Sequence, residues 1–203
     1  MKQQIQRKEA KQIDKETAKR IFEKRRTHHP GAWIRHSEHV AFAAEKIACR
    51  LSLDSELAYC MGLLHDIGRS FTDGQFQHIV CGYSYMIESG YPEIARICLT
   101  HSFAVQTIYS YVGKIDVSKE DQRKYQSILL DLDYTNYDRL IQLCDAISTP
   151  EGFILPEQRF VRLAFKYGFN EFTIEKWKAV LHIKEEISQR IGRDVNAFLR
   201  ASS

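Results

Sequence analysis

GLLHDIGR, residues 62–69, sets the polar doublet His65-Asp66 at the end of an apolar run. Behind it, Leu57, Ala58, Met61 and Leu64 fall at helical spacing after Asp54, a side chain suited to an N-cap, and Gly68 is well placed to end the helix. The doublet therefore lies at a helix C-terminal end. An aspartate buried there without a partner would cost several kcal/mol, and a divalent cation is the simplest partner for it.

Working outward, HSEHVAFAAEKIA (36–48) begins with a histidine from which Val40, Ala43, Ala44, Ile47 and Leu51 follow helical spacing. His36 thus stands on the core-facing stripe. His39, one turn further, is its rival; the Val and Ala positions favour His36 and leave His39 as a neighbour on the helix. HIVCGYSYM (78–86) reads as a helix from His78 through Glu88, stopped at Gly90 and Pro92. From Pro92 a further helix stacks Ile94, Ile97, Cys98 and His101 on one side. TNYDRLIQLCDAIS (135–148), capped by Thr135 or Asn136, sets Asp145 among apolar neighbours. Imidazoles and carboxylates together suit borderline divalent ions such as Mn, Fe, Co, Ni or Zn, and an aspartate has two oxygens with which to bridge a pair. His36, His65, Asp66, His78, His101 and Asp145 are enough for a two-metal site.

The remaining sequence bounds the molecule. Its 203 residues, 44% hydrophobic, can bury one substantial core, and no apolar run is long enough to span a membrane. MKQQIQRKEAKQIDKE (1–16) lacks the apolar stretch and cleavage site of a secretory signal, so a cytoplasmic location is expected. Cys49, Cys60, Cys81, Cys98 and Cys144 stand singly in apolar segments and read as small buried hydrophobes rather than disulfide partners. A net charge of +3 is too mild to argue for nucleic acid. Residues 1–30 are rich in Lys and Arg, but Ile5, Ile13, Ala18, Ile21 and Phe22 give them a thin apolar face. A basic helix packing on a helical domain of residues 31–203 is expected. SFAVQTIYSYVGKIDVSKE (102–120) has no clean period and reads as a loop with a short helical turn, placed to act as a lid. Helices around Pro156–Tyr167 and Thr173–Ile191 complete an all-α chain.

HSEHVAFAAEKIA, GLLHDIGR, HIVCGYSYM, ICLTHS (97–102) and LIQLCDAIS (140–148) resemble successive blocks of the HD superfamily of metal-dependent phosphohydrolases, from about His36 to Ile147. HDIG (65–68) is similar to the subgroup named for those letters. The resemblance implies a single-domain helical bundle in which His36, His65, Asp66 and Asp145 hold one metal, and Asp66, His78 and His101 the other, with a bridging hydroxide between. Ser102 follows His101 where some relatives carry a second histidine. The implied reaction is hydrolysis of a small phosphorylated substrate such as a nucleotide, with Asp66 and Arg69 as catalytic residues. Arg69, Arg35, Lys114 and Arg159 are the expected substrate contacts, with Tyr109 and Tyr111 at the entrance. His28, His29 and His182 read as surface or packing residues. The same ligand order is similar to that of myo-inositol oxygenase and related mixed-valent di-iron oxygenases, and a metal-containing binding module without turnover is a third reading. The oligomeric state stays open, a homodimer included.

Overall fold

Small side chains let two helices at the centre of the molecule approach closely. In the computed structural model, which describes residues 11–202, α2 (Trp33–Arg50) buries Ala41, Ala43, Ala44 and Ala48, and α3 (Ser55–Leu64) packs along it. A Cβ on Gly62 of α3 would lie only 2.7 Å from Ala41 Cα. Asp54 caps α3 by accepting from the backbone N–H groups of Glu56 and Leu57. The helix stops at Leu64, and Gly68 does not cap it. Gly68 sits inside a 3₁₀ turn, Ile67–Ser70, where a Cβ would lie 1.8 Å from the His78 carbonyl oxygen. Its role is close approach rather than a left-handed turn.

That turn packs on α4 (Gln77–Ser89), which pairs with α5 (Pro92–Thr100); Gly90, with φ +88°, closes the C-terminal end of α4. α7 (Asn136–Ile147) completes the main core against α2, α3 and α5. A short antiparallel hairpin, β1 (Ser148–Thr149) and β2 (Gly152–Phe153), leads into α8 (Pro156–Tyr167) and α9 (Thr173–Ile191), which pack on α7 and on each other. α10 (Val195–Arg200), capped by Asp194, returns against α9 and α2. None of the described helices is long and apolar enough to cross a membrane.

Three regions differ from the sequence expectation. Residues 11–14 are not helical, and α1 runs from Lys15 to Arg26, capped by Asp14. It buries Ala18 and Phe22 and packs on α3 and the 3₁₀ turn, where Arg25 donates to Ser70 Oγ and lies over the Phe71 ring. The earlier part of the expected helix, Ile5 included, lies outside the described residues. Next, α6 (Lys119–Leu130) is a helix the sequence reading did not assign, because KEDQRKYQ is polar all round. Only its Gln122, Tyr125 and Leu129 are buried. Finally, the loop after His101 is no free lid. Phe103, Ile108 and Tyr111 form a second core with Phe76, Ile79 and Tyr125, so the segment is a fixed wall.

Asp138 ties α5 to α7. It is fully buried and accepts from Arg96 Nε and Nη2, from Thr100 Oγ1 and from the Thr135 N–H and hydroxyl of its own capping box. Burial opposes its ionisation, but Arg96 and Thr100 outweigh burial and lower its pKa. Asp138→Ala strands Arg96 and three hydroxyl or amide donors, and is expected to lower stability by about 3 kcal/mol or more. Equilibrium urea unfolding of the variant reads this directly.

Candidate metal centre

Five elements bring the expected ligands together. His36 projects from the first turn of α2, and His65 and Asp66 follow the last turn of α3. His78 lies in the first turn of α4, His101 directly follows α5, and Asp145 lies in the last turn of α7. Asp66 is the meeting point. Its Oδ1 lies 3.1 Å from His78 Nε2 and 3.6 Å from His101 Nε2, and its Oδ2 lies 3.9 Å from His65 Nε2. On the other side His36 Nε2 is 2.9 Å from Asp145 Oδ1, which is 3.9 Å from His65 Nε2. Donor atoms of His36, His65 and Asp66 lie within 4.8 Å of one another, as do those of Asp66, His78 and His101. Each triad could hold a cation, and Asp66 belongs to both.

The hydrogen bonds on the far side of each ring decide what these atoms are. His65 Nδ1–H donates to the Gly62 carbonyl at 2.7 Å, His78 Nδ1–H to that of Gln75, and His101 Nδ1–H to that of Cys98 at 3.0 Å. Backbone acceptors thus place a proton on Nδ1 and leave Nε2 of each ring turned toward a carboxylate, the arrangement in which Nε2 can ligate a metal. Burial, with His65 beside it, pushes the His101 pKa down to about 3, and burial likewise lowers that of His65. Burial alone would raise Asp66, yet the Arg69 guanidinium beside it holds its carboxyl well below the usual range. Asp145 is held low in the same way: burial would raise it, but the His36 hydrogen bond and the Arg159 guanidinium lower it further. The Nε2 atoms therefore face anionic oxygens. His65 Nε2 and Asp66 Oδ1 are buried without a hydrogen-bond partner, which is costly unless each meets a cation. The donor set fits a borderline divalent ion.

Arg69 is the cation already at hand: its Nε donates to Asp66 Oδ2 at 2.7 Å, and Nη2 reaches His78 Nε2 at 3.4 Å. A relay holds His78 from behind. Asp116 accepts the N–H groups of Gln75, Phe76 and Gln77, and the Gln75 carbonyl receives both His78 Nδ1–H and the Tyr111 hydroxyl. Nothing in the sequence marks Asp116 or Tyr111 for this, since the partners lie 36 to 41 residues away.

The centre opens into a cavity of about 560 Å³. Arg69, Tyr111 and Arg159 line it; Arg35, exposed on α2, and Lys114, exposed beyond Gly113, do not, nor does the half-exposed Tyr109. His29, expected at the surface, stands at the rim, 3.4 Å from Asp73 Oδ2. His28 and His182 are exposed, and His39 Nδ1 bonds the Thr149 carbonyl, bracing the hairpin away from the centre. Lys176, Arg162 and Lys166 also line the cavity. Sequence reasoning passed over them because Lys and Arg recur along both helices with no spacing to mark these three. All five cysteines are free thiols; Cys60, Cys98 and Cys144 are buried, and burial pushes Cys60 up to about 12, but Cys81 is half-buried and Cys49, near the end of α2, is exposed, against the expectation of a packing residue.

The fold and the two triads define an all-α domain whose His and Asp side chains could hold divalent metal. Residues 33–149 match the HD domain family, more than half of the chain, and the protein belongs to that family. The match is to the HD domain at large. Membership implies metal-dependent hydrolase-type activity, and the family is typically one of phosphohydrolases. No curated protein and no solved structure matches the chain.

Proposed function

We propose that the protein hydrolyses a nucleotide or similar small phosphoester with two divalent metal ions. The observation that supports this reading is the meeting, beside a cavity, of two triads of candidate ligands that share Asp66, with Asp145 next to His36 and His65. His36, His65, Asp66 and Asp145 would hold one ion, and Asp66, His78 and His101 the other. When bound, such a pair supplies Lewis acidity and a water of lowered pKa. The protein's own groups do the rest. The backbone acceptors behind His65, His78 and His101 fix the rings, and the apolar α2–α3 packing keeps bulk water from the far side. Arg69 reaches the cavity beside Asp66, where its guanidinium can donate to the equatorial oxygens as negative charge gathers on them. In the reaction the water oxygen bonds to phosphorus, the bond from phosphorus to the leaving oxygen breaks, and that oxygen takes up a proton.

The test is a substrate panel. Protein loaded in turn with Mn, Fe, Co or Ni is offered nucleoside mono- and polyphosphates, dinucleoside polyphosphates and cyclic dinucleotides. Phosphate or nucleotide release that EDTA abolishes and added metal restores is the expected result. No turnover across the panel with metal bound contradicts the proposal, and substrate-dependent oxygen uptake by the iron form on polyols or phosphonates would assign a di-iron oxygenase instead.

A further inference from the structure

The cavity is charged unequally. Its acids, Asp66, Asp73 and Asp145, come from other elements, whereas α8 and α9 contribute Arg159, Arg162, Lys166 and Lys176 to the lining and no acidic residue. Two of these four matter most. Lys176 Nζ spends one of its protons on the Ser110 carbonyl at 3.2 Å, and Arg159 is close enough to influence the charge of both Lys176 and Asp145. Neither Arg159 nor Lys176 forms an ion pair with a described residue. Burial pushes the lysine down to about 8, with Asp145 working against that shift and Arg159 adding to it. Two cations that line one cavity, feeling the field of Asp145 but forming no ion pair with it, are unfavourable neighbours until an anion joins them.

We infer that Arg159 and Lys176 form a second anion subsite, which takes a phosphate of the substrate other than the one hydrolysed at the metal centre. The inference rests on the proposed phosphohydrolase reading and narrows it: the preferred substrates carry two or more phosphates, as nucleoside polyphosphates do, rather than one. A guanidinium and an ammonium share the work suitably, the first gripping two oxygens in its plane and the second acting as a compact charge.

Isothermal titration of the full-length protein with orthophosphate, pyrophosphate and tripolyphosphate tests this, first after EDTA treatment and then with Mn(II) bound. In the EDTA-treated protein the longer anions are expected to bind more tightly than orthophosphate. Lys176→Met and Arg159→Met should each weaken tripolyphosphate by about tenfold, the worth of one charge-assisted hydrogen bond. Lys176→Arg should retain the affinity, and all three variants should take up as much Mn(II) as the wild type. Equal affinity for the three anions, or an unchanged tripolyphosphate affinity in both Met variants, overturns the subsite. Failure of the wild type to bind Mn(II) would sink the metal-dependent reading instead, and appears in a separate arm. If Lys176→Met does not fold, Arg159→Met and Lys176→Arg still decide the matter.

Discussion

Asp66→Ala is expected to empty both metal positions and to lower metal-dependent hydrolysis at least about a thousandfold. The reason is geometric. Asp66 is the one side chain common to the two triads, its oxygens facing His78 and His101 on one side and His65 on the other. Removing it leaves three imidazoles around an uncharged methyl group, and Arg69 loses the carboxylate that positions it. Elemental analysis should show the metal lost, and steady-state assay the activity. Circular dichroism should show the helices intact, because Arg69, about a third exposed at 35%, can turn to water once its partner is gone, and the packing of α2, α3 and α7 on one another is untouched. Full metal content in the variant would show that Asp66 does not bridge.

Gly68→Ala is expected to lower stability by about 3 kcal/mol and to disturb the centre at a distance. The added methyl would meet the His78 carbonyl at 1.8 Å and the Gly82 amide nitrogen at 2.6 Å, both backbone atoms that cannot rotate aside. Either the 3₁₀ turn or α4 must move. The turn follows directly on Asp66 and α4 carries His78, so movement of either separates Asp66 Oδ1 from His78 Nε2, now 3.1 Å apart. Urea unfolding measures the first effect and metal affinity the second. A variant as stable as the wild type, with unaltered metal affinity, would mean that the turn has room the structure does not show.

Much of this was legible in the amino-acid order because the ligands interrupt strong apolar patterns. His36 breaks a stripe of Val, Ala and Ile on α2, and Asp145 stands between Cys144 and Ala146 in α7, so each polar side chain announces itself against its surroundings. The choice of His36 over His39 agrees with their places in the fold, one facing Asp145 and the other the hairpin. The expected ranges Pro156–Tyr167 and Thr173–Ile191 coincide with α8 and α9. What stayed hidden was set by partners far along the chain. α6 looks like a solvated segment until Tyr125 meets Phe76 and Phe103 in the second core. Gly68 reads as a helix stop, whereas its need arises from a carbonyl ten residues on. Lys176 resembles any lysine of an amphipathic helix, and only the approach of α9 to α7 and to Ser110 marks it out.

The central claim is that six side chains from five elements meet around two cations. The most direct measurement is titration of the EDTA-treated protein with Mn(II), followed by elemental analysis after desalting. Two equivalents retained per chain in the wild type, and none in Asp66→Ala, is the predicted result. A wild-type chain that leaves the column without metal, after exposure to Mn, Fe, Co, Ni and Zn in turn, would contradict it.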